Sequence, residues 1–161
     1  MKLGVAGILT LGLLPAGCGS PSSPSGVDNA FTWTVDGQSF QATSNGRGAL
    51  RAGTTVIVTG ADCGRGPILM ISMTNPSVGT LSVGSTLNAN WTPDARTGSA
   101  AGTAWEAGPG RGSGTVTITS LTDGRVAGNF SMTLAPFGGS ASGNRSVQGS
   151  FDLTFGNATI C

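Results

Sequence analysis

The stretch that decides the fold is Gly114-Thr115-Val116-Thr117-Ile118-Thr119-Ser120-Leu121-Thr122-Asp123-Gly124-Arg125-Val126-Ala127-Gly128-Asn129-Phe130-Ser131-Met132-Thr133-Leu134. Val116 and Ile118 alternate with Thr115, Thr117 and Thr119. Asp123-Gly124 supplies turn chemistry, and Val126, Phe130, Met132 and Leu134 return with the same period of two. Strict alternation over this length is the mark of a half-buried antiparallel strand, because successive side chains point to opposite faces. Gly128 falls at an inward position, as does Gly149 in the later strand through Val147, Phe151, Leu153 and Phe155. An inward glycine in a strand marks a bulge or a close backbone approach.

Working outward, Phe31, Trp33 and Val35 share one face, with Thr32 and Thr34 opposite. Asp36-Gly37 then gives a type I′ turn signal, with Phe40 and Ala42 on the return strand. Val56-Ile57-Val58 and Ile68-Leu69-Met70-Ile71 are more uniformly apolar, which predicts central strands covered on both faces. Leu87, Ala89 and Trp91 alternate with Asn88 and Asn90. The pattern predicts an all-β domain of about nine antiparallel strands, a sandwich or a small barrel. No segment after residue 17 has a convincing helical period.

The start of the chain reads differently. Lys2 precedes a short apolar stretch, Leu3 to Leu14, too short for the roughly 20 residues of a membrane-spanning helix. It has the form of a signal peptide. Leu14-Pro15-Ala16-Gly17-Cys18 follows, and it resembles the lipobox of bacterial lipoproteins at Ala16, Gly17 and Cys18, with Pro15 where that family usually has Leu. The resemblance implies cleavage before Cys18, a lipid on its sulfur and attachment to a membrane. Gly19 in place of Asp after the cysteine implies the outer membrane. The expected organisation is a leader over 1–17, a Gly/Ser/Pro tether over 18–27 and one β-domain over 28–161.

From Cys18 onward the chain has seven Arg, no Lys, six Asp and one Glu, hence no net charge. That balance gives no footprint for nucleic acid and no basic patch for anionic lipid. The chain has no His, which removes Ser-His and Cys-His nucleophiles and the common zinc ligand sets. The residues therefore call for no metal or other cofactor and no catalytic centre. Cys63 and Cys161 are the cysteines left after lipidation of Cys18, and in an oxidising compartment they are expected to pair.

Three low-ranking sites remain. Trp91 and Trp105 could stack on sugar rings, although core packing is the simpler role for both. Glu106 and Asp94 could form a carboxylate pair for sugar cleavage, against readings as a strand residue and a turn residue. Gly108 to Gly114 with Arg111 could hold an anion on backbone amides, but a strand follows where phosphate loops lead into a helix, so a mobile hairpin loop is expected.

A wider resemblance rests on Phe31-Thr32-Trp33-Thr34-Val35-Asp36-Gly37-Gln38-Ser39-Phe40, on Gly114-Thr115-Val116-Thr117-Ile118-Thr119, and on Val126-Ala127-Gly128-Asn129-Phe130 with Val147-Gln148-Gly149-Ser150-Phe151. Together these are similar to a group of short bacterial lipoproteins of unknown function. The resemblance implies the fold and the anchor, and carries no catalytic residues. The expected function is a non-catalytic binding or structural role at the cell envelope. The rivals are a calycin-like carrier of an apolar ligand, a carbohydrate-binding domain and, last, a carboxylate-dependent hydrolase.

Overall fold

The computed structural model describes residues 29–63, 66–94 and 103–156. Among the described residues eleven strands follow one another: β1 (Ala30–Val35), β2 (Gln38–Gln41), β3 (Arg47–Ala52), β4 (Thr55–Ala61), β5 (Ile68–Thr74), β6 (Gly79–Ser82), β7 (Leu87–Thr92), β8 (Ala104–Ala107), β9 (Ser113–Leu121), β10 (Arg125–Gly138) and β11 (Arg145–Thr154). The all-β, antiparallel expectation holds. Nine strands run in the continuous order β2-β1-β11-β10-β8-β7-β5-β4-β3, curled into a half-barrel, and β9 and β6 branch from β10.

The long strand β10 makes the branch. Along one edge it pairs with β11 from Arg125 to Leu134. Along the other, Val126 to Thr133 pairs with β9, and Ala135 to Gly138 pairs with β8. The register slips between Pro136 and Gly138, where proline offers no N–H to the ladder. One layer is therefore β2-β1-β11-β10-β9-β6, and the facing layer is β8-β7-β5-β4-β3. At the far corner the Gly156 N–H donates to the Ala49 carbonyl at 3.1 Å and ties the end of β11 to β3.

Alternation fills the space between the layers. Phe31, Trp33, Val116, Ile118, Phe130, Met132, Leu134, Val147, Phe151 and Leu153 enter from one side. Val56, Val58, Leu69, Ile71, Met73, Leu87, Ala89, Trp91 and Trp105 enter from the other. Phe31 stacks on Phe151 at 6.2 Å and meets Trp33 edge-on at 5.6 Å. Its ring also lies against Gly60 of β4, where a Cβ would come within 2.7 Å of its Cγ.

Two local expectations are met and one is corrected. Asp36 and Gly37 both have positive φ, 49° and 85°, as a type I′ turn requires. The bulge falls beside Gly128, where the β9–β10 register shifts between Ala127 and Gly128. The apolar runs in β4 and β5 are not covered on both faces: Ile57 is half-buried, and Met70 is 38% exposed. β5 buries one face only, whereas β4 buries every residue from Val58 to Ala61; Ile57 and Met70 lie on the solvent side of the second layer.

Candidate binding groove

The outward face of the first layer is built from side chains that the strand period turns away from the core. On β1 these are Thr32 and Thr34. Antiparallel register sets Thr32 beside Gln41 of β2 and Ser150 of β11, and Thr34 beside Ser39 and Gln148. The pairing continues without a break. Ser150 faces Asn129 and Gln148 faces Ser131 on β10. Asn129 then faces Thr117, and Ser131 faces Thr115, on β9. Thr117 and Thr115 face Thr80 and Ser82 on β6.

The result is two parallel rows across all six strands. The first is Gln41, Thr32, Ser150, Asn129, Thr117 and Thr80; the second is Ser39, Thr34, Gln148, Ser131, Thr115 and Ser82. Every member carries a hydroxyl or an amide, and none is charged. With strands about 4.8 Å apart, each row is about 24 Å long, and the two rows are about 6.6 Å apart along the strands.

Between the rows lies an open hollow of about 740 Å³ over β2, β1 and β11. Its walls are Gln41, Thr32 and Ser150 on one side and Ser39, Thr34 and Gln148 on the other. The intervening residues Phe40, Trp33, Gly149 and Phe130 lie between those walls in the ladder and form the floor. The side chains of Trp33 and Phe130 are buried beneath it. Few of the polar groups are used up internally. Thr32 and Ser150 share a hydrogen bond at 3.3 Å, Thr34 donates to the Gln148 carbonyl at 3.5 Å, and Thr80 and Thr117 share one at 3.0 Å.

Among the described residues of this layer, charge is confined to the two ends of the strands. At one end Arg145 donates to Asp36 at 2.8 Å, and the Ser146 N–H reaches the other oxygen of that carboxylate at 2.9 Å. These bonds hold the Asp36 carboxyl below its usual range, the Arg145 guanidinium first and the Ser146 amide second. At the other end Arg125 forms a two-pronged ion pair with Asp152. The groove runs between these two pairs.

The residues singled out in the sequence fall elsewhere. Trp91 and Trp105 are 7% and 4% exposed, and their rings meet at 5.1 Å in the core. The Trp105 indole donates to the Gly143 carbonyl at 2.8 Å, and Arg145 covers its ring at 4.8 Å. Core packing thus accounts for both rings. Trp91 also borders a smaller hollow of about 400 Å³ with Phe40, Asp62 and Pro93.

Arg111 lies over the Phe137 ring at 4.9 Å and 3.6 Å from Glu106, so its charge is already matched. The glycine-rich segment beside it is a closed turn, Gly108 and Arg111 exchanging both backbone hydrogen bonds at 2.9 and 3.1 Å. Cys63 follows β4, and its N–H donates to Thr43 Oγ1 at 3.5 Å. Cys18 and Cys161 lie outside the described residues, as do the leader and the tether. Among the described residues no three metal-ligating side chains gather.

The period of two puts Thr32, Thr34, Thr115 and Thr117 on outward faces, but nothing local in the sequence assembles them. The missing information was strand order: β6 joins β9 across a long stretch of chain, Ser82 facing Thr115 and Thr80 facing Thr117. Comparison with family models, with curated proteins and with solved structures returned no match to this chain.

Proposed function

We propose that this chain is an exported, lipid-anchored cell-envelope protein whose β-domain acts by binding, through the uncharged groove on the β2-β1-β11 face. The groove carries this reading. Two unbroken rows of hydrogen-bonding side chains flank a hollow large enough for a small ligand or a segment of a polymer. The lipobox-like Ala16-Gly17-Cys18 and the Gly/Ser/Pro tether after it support the anchor. Gly19 in place of Asp after the cysteine supports the outer membrane as its place.

A chamber between the layers, as in a calycin-like carrier, would have to displace Phe31, Trp33, Phe130 and Phe151, all buried there. Glu106 is paired with Arg111 instead of with a second carboxylate, which favours binding over carboxylate catalysis. The Cys63–Cys161 disulfide belongs to the same proposal. The chain end passes Ala49, whose β4 partner Val58 lies five residues before Cys63, and the five residues after Gly156 can span at most about 16–18 Å.

The test is complementation of a deletion strain with a blocked groove. Thr32→Trp combined with Gln148→Trp fills the hollow from both walls. The full-length variant should accumulate normally, stay membrane-bound and fail to restore the deletion phenotype. Full restoration would remove the groove from the function.

A further inference from the structure

We infer that the groove takes a neutral polyhydroxylated polymer, an uncharged polysaccharide laid across the strands. The inference rests on the binding reading above and adds the chemistry of the ligand. All twelve side chains of the two rows are Ser, Thr, Asn or Gln, and the flanking charges are already matched in the Asp36–Arg145 and Arg125–Asp152 pairs.

That composition discriminates among occupants. Nucleic acids and acidic polymers need unpaired cations along the track, and the rows supply none. A lipid surface needs exposed apolar or basic side chains, and a protein partner is usually anchored by aromatic, Met or Arg side chains in a desolvated centre. The rows have neither. Hydroxyls and amides both donate and accept, so they complement a ligand that presents many hydroxyls of both kinds.

The shape agrees with an extended chain. The hollow is open along its length instead of closed around one small molecule, and the polar rows continue past it over Asn129, Ser131, Thr117, Thr115, Thr80 and Ser82. About 24 Å of row matches several consecutive sugar units, each contacting both walls. With Trp33 and Phe130 buried and only the half-buried Phe40 ring in the floor, affinity comes mainly from many weak hydrogen bonds made together. Single substitutions therefore have modest effects, and paired ones on opposite walls have larger effects.

The experiment titrates the full-length protein in detergent onto immobilised neutral polysaccharides: an α-glucan, a β-glucan, a mannan and chitin. Polyanionic alginate serves as the contrast. Saturable binding to at least one neutral polymer is expected, little changed by salt, with no binding to alginate. Thr32→Val combined with Gln148→Ala, one from each wall, should weaken it tenfold or more at an unchanged melting temperature. Thr54→Val, at an exposed position away from the rows, should leave it unaltered. Failure to bind any of the neutral polymers, or binding that survives the double substitution, overturns the inference. If no polymer binds and the Trp-blocked protein still fails to complement, the ligand class falls and the binding reading stands. If the blocked protein complements, both fall.

Discussion

Phe130 and Gly149 face each other across β10 and β11, and the glycine is there because the ring needs its space. A Cβ on Gly149 would stand 2.7 Å from the Phe130 Cζ and 2.8 Å from the Trp33 Cα. Gly128 and Phe151, two residues along the same pair of strands, repeat the arrangement, with a Cβ 2.9 Å from the Phe151 Cζ. The two phenylalanine rings stack at 6.4 Å over this glycine pair. The same Gly149 gives the groove its floor on the opposite face, so core packing and the candidate site share one residue.

Gly149→Ala should therefore destabilise by about 1–3 kcal/mol through overpacking, read from the denaturant midpoint. Gly37→Ala makes a useful contrast. Nothing lies within 4 Å of its Cβ, but its φ of 85° is costly for an L side chain, so it should lose about 1 kcal/mol. Equal and negligible effects at both positions would contradict the close approach at Gly149.

Phe130→Ala and Phe151→Ala should each cost about 3–5 kcal/mol, because both rings are buried against other rings and leave cavities. Because the two rings touch, the double variant should be non-additive. Losses below about 1 kcal/mol in urea titrations would place the rings outside the core.

The Asp36–Arg145 pair predicts a small acid-side dependence. The folded state holds the Asp36 carboxyl below its usual value, so folding favours the ionised form. That contribution is complete above the unfolded-chain value of about 3.9 and is lost as pH falls through the lower folded value. Both partners are more than a third exposed, so the pair is worth at most about 1 kcal/mol. Asp36→Asn, which tolerates the left-handed turn, should flatten the stability profile below pH ~4 and change it little at neutrality. An unchanged acid limb would remove Asp36 as its source.

Reduction should lower the melting temperature if Cys63 and Cys161, 98 residues apart, are joined. In the chain-entropy model a loop of about that size contributes up to about 4.7 kcal/mol. Thiol labelling of two cysteines in protein isolated without reductant would contradict the bond.

How much of this was legible in the sequence follows from the range of the forces involved. The hairpins at Asp36-Gly37 and Asp123-Gly124, and the inward places of Phe130, Phe151, Gly128 and Gly149, are local patterns of period two, and local patterns survive translation into structure. Ile57 and Met70 misled because an apolar side chain on the solvent face of a strand looks the same in sequence as one under a second layer. Trp91 and Trp105 stood out as large rings, but only the β7–β8 pairing, which sets Trp91 beside Trp105, reveals that they meet each other. The groove was the least legible feature. Its rows join residues from Thr32 to Ser150 through strand order alone, and no short window of sequence contains them.

Mass spectrometry of the mature N-terminal peptide tests the central claim most directly, since a binding domain held at the envelope requires the anchor. The account predicts a peptide beginning at Cys18 that carries acyl chains, and loss of membrane attachment in Cys18→Ala. An unmodified Cys18, or a Cys18→Ala protein that remains in the membrane fraction, would contradict it.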